Sequence, residues 1–137
     1  MLDLLERALS LRAAPLFGPL AAEDLLPVAQ LCTEVTLEPE ATLFSQGEIG
    51  DSMYVVVSGT VRVERDGKLL VVLGPGECVG ELATLDLEPR SASIVAVETT
   101  ELIRLERDDL FDLLGDHPEL VRALGTVLVE RLRAKRG

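Results

Sequence analysis

Residues 80–93 read GELATLDLEPRSAS. Gly80 permits close backbone approach, and GELATL suits a single helical turn whose free N–H groups face its own start, a common way to hold an anionic oxygen. Pro89 stiffens the chain ahead of Arg90, whose planar guanidinium offers a fork of donors matched to phosphate geometry. Ser91 and Ser93 alternate around Ala92 on a predicted strand, which places Ser91 beside whatever Arg90 holds. Glu81 repels an anion but accepts hydrogen bonds from a sugar hydroxyl. An arginine for phosphate and a glutamate for ribose on one short cassette describe a nucleotide whose phosphate and ribose lie close together.

The cassette sits in a β-rich region. From Glu34 to Leu105, short apolar runs are broken every eight to twelve residues by Gly, Pro or Asp, the pattern of a sandwich or barrel of short antiparallel strands. Seven or eight strands are expected. Val61 and Val63 alternate with Arg62 and Glu64 until Asp66-Gly67, a strong tight-hairpin signal, and Gly74-Pro75-Gly76 marks another turn.

Helices flank this region. Leu2, Leu5, Ala8 and Leu9 recur at helical spacing over 2–12, and Leu25, Val28, Ala29 and Cys32 over 21–32. Beyond Leu105, Leu110, Phe111, Leu113 and Leu114 lead to Gly115, a helix-terminating glycine, and Pro118 suits the first turn of a new helix. Leu120, Leu124, Val127, Leu128 and Leu132 form that last helix's stripe. Arg131, Arg133, Lys135 and Arg136 gather near its end, either as a solvated tail or as a surface that meets a second copy or another protein.

At 137 residues the chain is long enough for one domain with a real core. A net charge of -11, aromatics at 3% and no Trp exclude a broad basic or base-stacking footprint, so no direct nucleic acid contact is expected. No apolar run approaches the ~20 residues that span a bilayer, and Asp3 and Glu6 stand where a secretory leader would be basic. A soluble, cytoplasmic chain is expected. Cys32 and Cys78 lack metal-like spacing and read as small hydrophobes, and a single His, His117, cannot build a His-based metal cluster. No metal site, cofactor or catalytic residue is expected, because nothing in this inventory activates water.

GELA at Gly80–Ala83 followed by PRSAS at Pro89–Ser93 resembles the phosphate-binding cassette of the cyclic nucleotide-binding domain family. LFSQGEIGDSMYVVVSGTVRV, residues 43–63, is similar to that family's strand-turn-strand block, with Gly47, Gly50, Asp51, Tyr54 and Gly59 at matching positions. PLFGPL at 15–20 and the segment from Phe111 to Pro118 resemble its flanking helices, so the likeness runs from Leu16 to Leu132.

The resemblance implies a mainly β fold, an eight-stranded antiparallel jelly-roll barrel with N-terminal and C-terminal flanking helices. Residues 1–33 are the N-terminal helices, 34–106 the jelly roll with cassette 80–93, and 107–137 the C-terminal helices of one overall domain. It further implies a non-catalytic regulatory module for cyclic AMP or cyclic GMP, with a ligand-free module that keeps only the jelly roll as the alternative. Arg90 pairs with the cyclic phosphate and Glu81 with the ribose 2′-hydroxyl. Backbone N–H groups near Gly80, Leu82 and Ala92 join the Ser91 hydroxyl in the cradle, and Val61, Val63 and Leu73 wall the base. Ser91 tilts the choice mildly towards cyclic AMP. Val79 stands where the family often has a larger residue. The terminal helices are expected to relay occupancy to a second copy or an effector domain. Matching the last helix to the family's brings the region that caps the base to about Lys135 and Arg136, so a short or absent lid and no following DNA-binding motif are expected.

Overall fold

A computed structural model describes residues 3–80, 84 and 87–136. Two helices, α1 (Leu4–Ala13) and α2 (Ala22–Leu31), lead into eight strands: β1 (Thr33–Leu37), β2 (Thr42–Phe44), β3 (Ser52–Ser58), β4 (Val61–Arg65), β5 (Lys68–Leu73), β6 (Cys78–Val79), β7 (Ser93–Ala96) and β8 (Thr100–Glu106). Helices α3 (Arg107–Asp116) and α4 (Pro118–Arg136) follow. No described helix is long and apolar enough to cross a membrane.

The strands form two four-stranded antiparallel sheets, ordered β1-β8-β3-β6 and β2-β7-β4-β5. Eight antiparallel strands agree with the sequence expectation; the closed barrel does not. Among the described residues no ladder joins one sheet to the other, so the β unit is a two-sheet sandwich.

Alternation along β3 and β8 explains how three layers stack. Met53, Val55, Ile103 and Leu105 face the helices and join Leu11, Phe17, Leu25, Val28, Leu110 and Leu120 in one core. Tyr54, Val56 and Leu102 point the other way, into the sandwich, against Phe44, Val61, Val79, Ile94 and Ala96. A strand covered on both faces reads as an unbroken apolar run, which is why MYVVV shows no alternation.

Local chemistry sets the element ends. Asp3 caps α1 by accepting the Glu6 N–H at 2.8 Å. Asp66 and Gly67 both have positive φ, 54° and 77°, at the β4–β5 hairpin, as the Asp-Gly signal predicts. Gly115 does not terminate its helix. α3 continues through Asp116 and the chain breaks at His117 (φ -130°, ψ 89°), because Pro118 disfavours helical geometry in the residue before it. Pro118 then opens α4 as anticipated.

The α1 stripe is phased differently from its sequence pattern: Ala8 and Leu11 are buried, whereas Leu5 and Leu9 are exposed. The α2 stripe of Leu25, Val28, Ala29 and Cys32 is fully inside. Phe111 is exposed on α3, under the Arg107 guanidinium at 4.5 Å. Within α4, Leu120 is fully buried and Leu124, Val127 and Leu128 are half-buried. The side chains of Arg131, Leu132, Lys135 and Arg136 lie outside the described residues.

Candidate functional site

Arg90 is 5% exposed and, among the described residues, the one charged side chain that is buried. Burying a guanidinium is unfavourable unless its donors and charge are satisfied. Nη2 donates to the Ser52 carbonyl at 2.8 Å and Nη1 to the Gly80 carbonyl at 3.1 Å. The guanidinium stacks over the Phe44 ring with Cζ 4.0 Å from its centroid, a favourable cation–π geometry. Phe44 in turn packs on Tyr54 with ring centroids 6.1 Å apart.

The backbone of Arg90 is equally fixed. Its N–H donates to the Glu48 carbonyl at 2.7 Å, and its carbonyl accepts the Gly47 N–H at 2.9 Å. Ile49 and Pro89 form an isolated antiparallel bridge at the same point. The 43–63 block is thereby laced directly to the cassette.

Two glycines make room for the side chain. A Cβ on Gly50 would lie 2.2 Å from Nε, and one on Gly80 would lie 2.2 Å from Nη1. No side chain fits at those distances, and Gly80 also has φ +84°. Gly50 and Gly80 therefore form the jaws of a clamp on the guanidinium.

Among the described residues no carboxylate lies within ion-pairing distance of Arg90. Burial pulls its pKa below the ordinary arginine value, partly opposed by Tyr54, Asp51 and Glu48; guanidinium stays charged nonetheless. Behind it, Ser52 Oγ accepts from Arg104 Nε at 3.0 Å and contacts Asp51 and Tyr54, which holds the carbonyl-bearing segment in place.

A cavity of about 310 Å³ opens beside this cation, within the size range of small-ligand pockets. Phe44, Val63, Val71, Leu73 and Ile94 supply apolar walls, and Gly80, Arg90, Ser91 and Ala92 form its polar end. The arrangement suits an anionic group at one end and a flat apolar body at the other.

The expected site residues fare differently. Gly80, Arg90, Ser91 and Ala92 converge on the cavity with Val63 and Leu73. Val61 does not line it; it is fully buried deeper in the sandwich, opposite Leu73 and Ala96. Ser91 is exposed and precedes β7 in a bend, so the strand begins only at Ser93. Its carbonyl accepts Arg65 Nε at 2.9 Å. Glu81 and Leu82 lie outside the described residues. The body of the expected helical turn also lies outside the described residues; of its ends, the Thr84 N–H and Oγ1 both donate to the Gly80 carbonyl at 3.1 and 2.7 Å.

Three residues around the guanidinium take no role from the sequence: Phe44, Gly50 and Ser52. All three lie in the 43–63 block, where the family pattern marks Gly50 but gives it no role. The family likeness of that block was the available signal.

The cyclic nucleotide-binding domain profile matches residues 34–117. The chain is 40% identical over 129 residues to the cyclic AMP receptor protein of Thermus thermophilus, covering 90% of this chain and 59% of that protein. The crystal structure of the Thermus thermophilus catabolite activator protein superposes with a TM-score of 0.84 at 38% identity, over 90% of this chain and 60% of that one. The regulatory domain of Toxoplasma gondii PKA, crystallised with cAMP, gives a TM-score of 0.75 at 31% identity, over 82% and 46%. The chain thus spans about three fifths of the length of the Thermus proteins it matches.

Proposed function

Because the chain belongs to the cyclic nucleotide-binding domain family, we propose that it is a non-catalytic regulatory module that binds cyclic AMP in preference to cyclic GMP. The observation that carries this is Arg90: a buried cation held, among the described residues, by carbonyls and a ring with no carboxylate partner, at the polar end of a cavity of about 310 Å³. In this reading Arg90 receives the cyclic phosphate, Ser91 and the Ala92 backbone complete the cradle, and the base lies against Val63, Val71 and Leu73.

Glu81 takes the ribose hydroxyl, with Gly80 and Leu82 supplying backbone donors; these three roles rest on the family pattern. The preference for cyclic AMP is supported by the names of the relatives and by the serine after the arginine. Residues 34–106 serve as the binding unit, with 1–33 and 107–137 as the output helices that face a second copy or an effector domain.

Charge-assisted hydrogen bonds are worth roughly 1.5–3 kcal/mol, so loss of the Arg90 fork is expected to weaken binding at least tenfold and up to about a hundredfold. Calorimetric titration of cyclic AMP and cyclic GMP into the wild-type chain and Arg90→Ala tests this, with circular dichroism to check the fold. Equal affinities in the two proteins would overturn the role of Arg90, and no thermal shift at millimolar nucleotide would point to a module that keeps the fold without the ligand.

A further inference from the structure

We propose that Asp24, His117 and Glu119 form a divalent metal site, selective for a zinc-like ion, that pins the start of α4 to α2. The site is separate from the nucleotide cavity, and none of its residues lines that cavity.

The three side chains come from three places in the fold. Asp24 lies in the first turn of α2, His117 is the single residue between α3 and α4, and Glu119 lies in the first turn of α4. Each offers one ligand atom, and those atoms lie within 4.8 Å of one another. His117 Nδ1 and Glu119 Oε1 are already 3.2 Å apart. Donors bound to one ion at about 2.0–2.2 Å sit roughly 3–3.5 Å from each other, so small side-chain rotations close the set.

Their backbones are held in register by the core below. Leu25 follows Asp24 and Leu120 follows Glu119, and both are buried in the same cluster as Leu113. The His117 N–H donates to the Leu113 carbonyl, and the His117 carbonyl accepts the Leu120 N–H, each at 2.9 Å. The donors are therefore presented from fixed points and not from loose loops.

Charge supplies the second argument. Among the described residues neither Asp24 nor Glu119 pairs with a lysine or arginine. The two carboxylates converge beside one imidazole, and all three residues are half-buried, so the two charges of a divalent ion would be balanced there. One imidazole and two carboxylates suit zinc and its late first-row neighbours, whereas magnesium and calcium prefer all-oxygen shells. The fourth position would be left to water.

Titration of ZnCl2 into the full chain, with MgCl2 as control, is the test. One site of micromolar order and a raised melting midpoint are expected with zinc, and no midpoint shift with magnesium. Asp24→Asn and Glu119→Gln keep the side-chain size and should each weaken zinc at least tenfold; His117→Ala should abolish it. CoCl2 identifies the donors: d–d absorption without thiolate charge transfer is expected. The proposal is overturned by any of three results: no zinc response below ~100 µM, zinc affinity unchanged in both carboxylate variants, or charge transfer that places the ion on Cys32 or Cys78.

Discussion

Arg62 and Arg90 sit in the same sandwich and are treated in opposite ways. Arg62, on the outward side of β4, pairs with the carboxylates of Glu40 and Glu64. Those bonds raise its pKa and lower that of Glu40. Arg90 is buried, held by two carbonyls and a ring, and burial moves its pKa the other way. An arginine neutralised by carboxylates has little left to offer. One desolvated without a described counter-ion keeps its charge in a low-dielectric setting, where an incoming anion interacts strongly. The contrast lies in what surrounds each guanidinium, not in the residue type.

The largest expected effect tests the clamp. Gly50→Ala places a methyl 2.2 Å from Arg90 Nε, and the three nearest atoms it meets all belong to the guanidinium, which must shift. Cyclic AMP affinity should fall about a hundredfold, as far as in Arg90→Ala. The double variant should bind no worse than either single one, since both act through one group. Gly50→Ala binding within about twofold of wild type would show that the cation does not depend on this enclosure.

A second contrast separates core from cavity on one strand. Val61 and Val63 share a face of β4, but Val61 is fully buried and Val63 lines the cavity. Val61→Ala should cost about 2 kcal/mol of stability in urea melts and leave affinity nearly unchanged. Leu73→Ala, at the cavity wall opposite Val61, should lose affinity several-fold with a smaller stability cost. If Val61→Ala lost more affinity than Leu73→Ala, the base would have to lie deeper than the cavity indicates.

These pairs also mark what one sequence could reveal. Alternation tells which face of β4 turns inward, and it correctly put Val61 and Val63 together. Depth along that face depends on how far the opposite sheet extends over it, and period two carries no such information. The cassette was legible because Arg90, Ser91 and Gly80 fall within twelve residues. Phe44, Gly50 and Ser52 reach Arg90 from 38 to 46 positions away, and their roles exist only once β2 and β3 are folded against the cassette. A count of seven or eight strands and the start of α4 at Pro118 followed from turn chemistry. The barrel did not, because closure depends on pairing between sheet edges that no local pattern encodes. Likewise Gly115 looked like a stop, yet the backbone restriction came from Pro118.

Burial acts on Cys32 as it does on Arg90, by disfavouring the charged form, but here the charged form is an anion. Desolvation pushes the thiol from 9.0 up to about 12, partly opposed by Arg7. The folded state therefore holds a proton that the unfolded chain releases. Its contribution to stability is complete below about pH 9 and is lost as pH rises towards about 12, with a slope approaching 1.4 kcal/mol per pH unit. Urea melts at pH 8, 9 and 10 should show a shallower decline in Cys32→Ala than in wild type. Parallel declines would mean that Cys32 is no more desolvated folded than unfolded.

The smallest expected effect is the one on which the opening contrast depends most. Arg62→Ala removes a cation from the same strand, β4, that walls the cavity with Val63, yet its charge is already spent on Glu40 and Glu64 at the surface. Surface pairs of this kind are screened by salt and contribute little. Cyclic AMP affinity should stay within about twofold of wild type at ordinary ionic strength. Net charge becomes one unit more negative, so any drop should vanish as salt is raised. A salt-independent loss comparable to that of Arg90→Ala would mean that general positive charge, not the enclosed guanidinium, holds the anion.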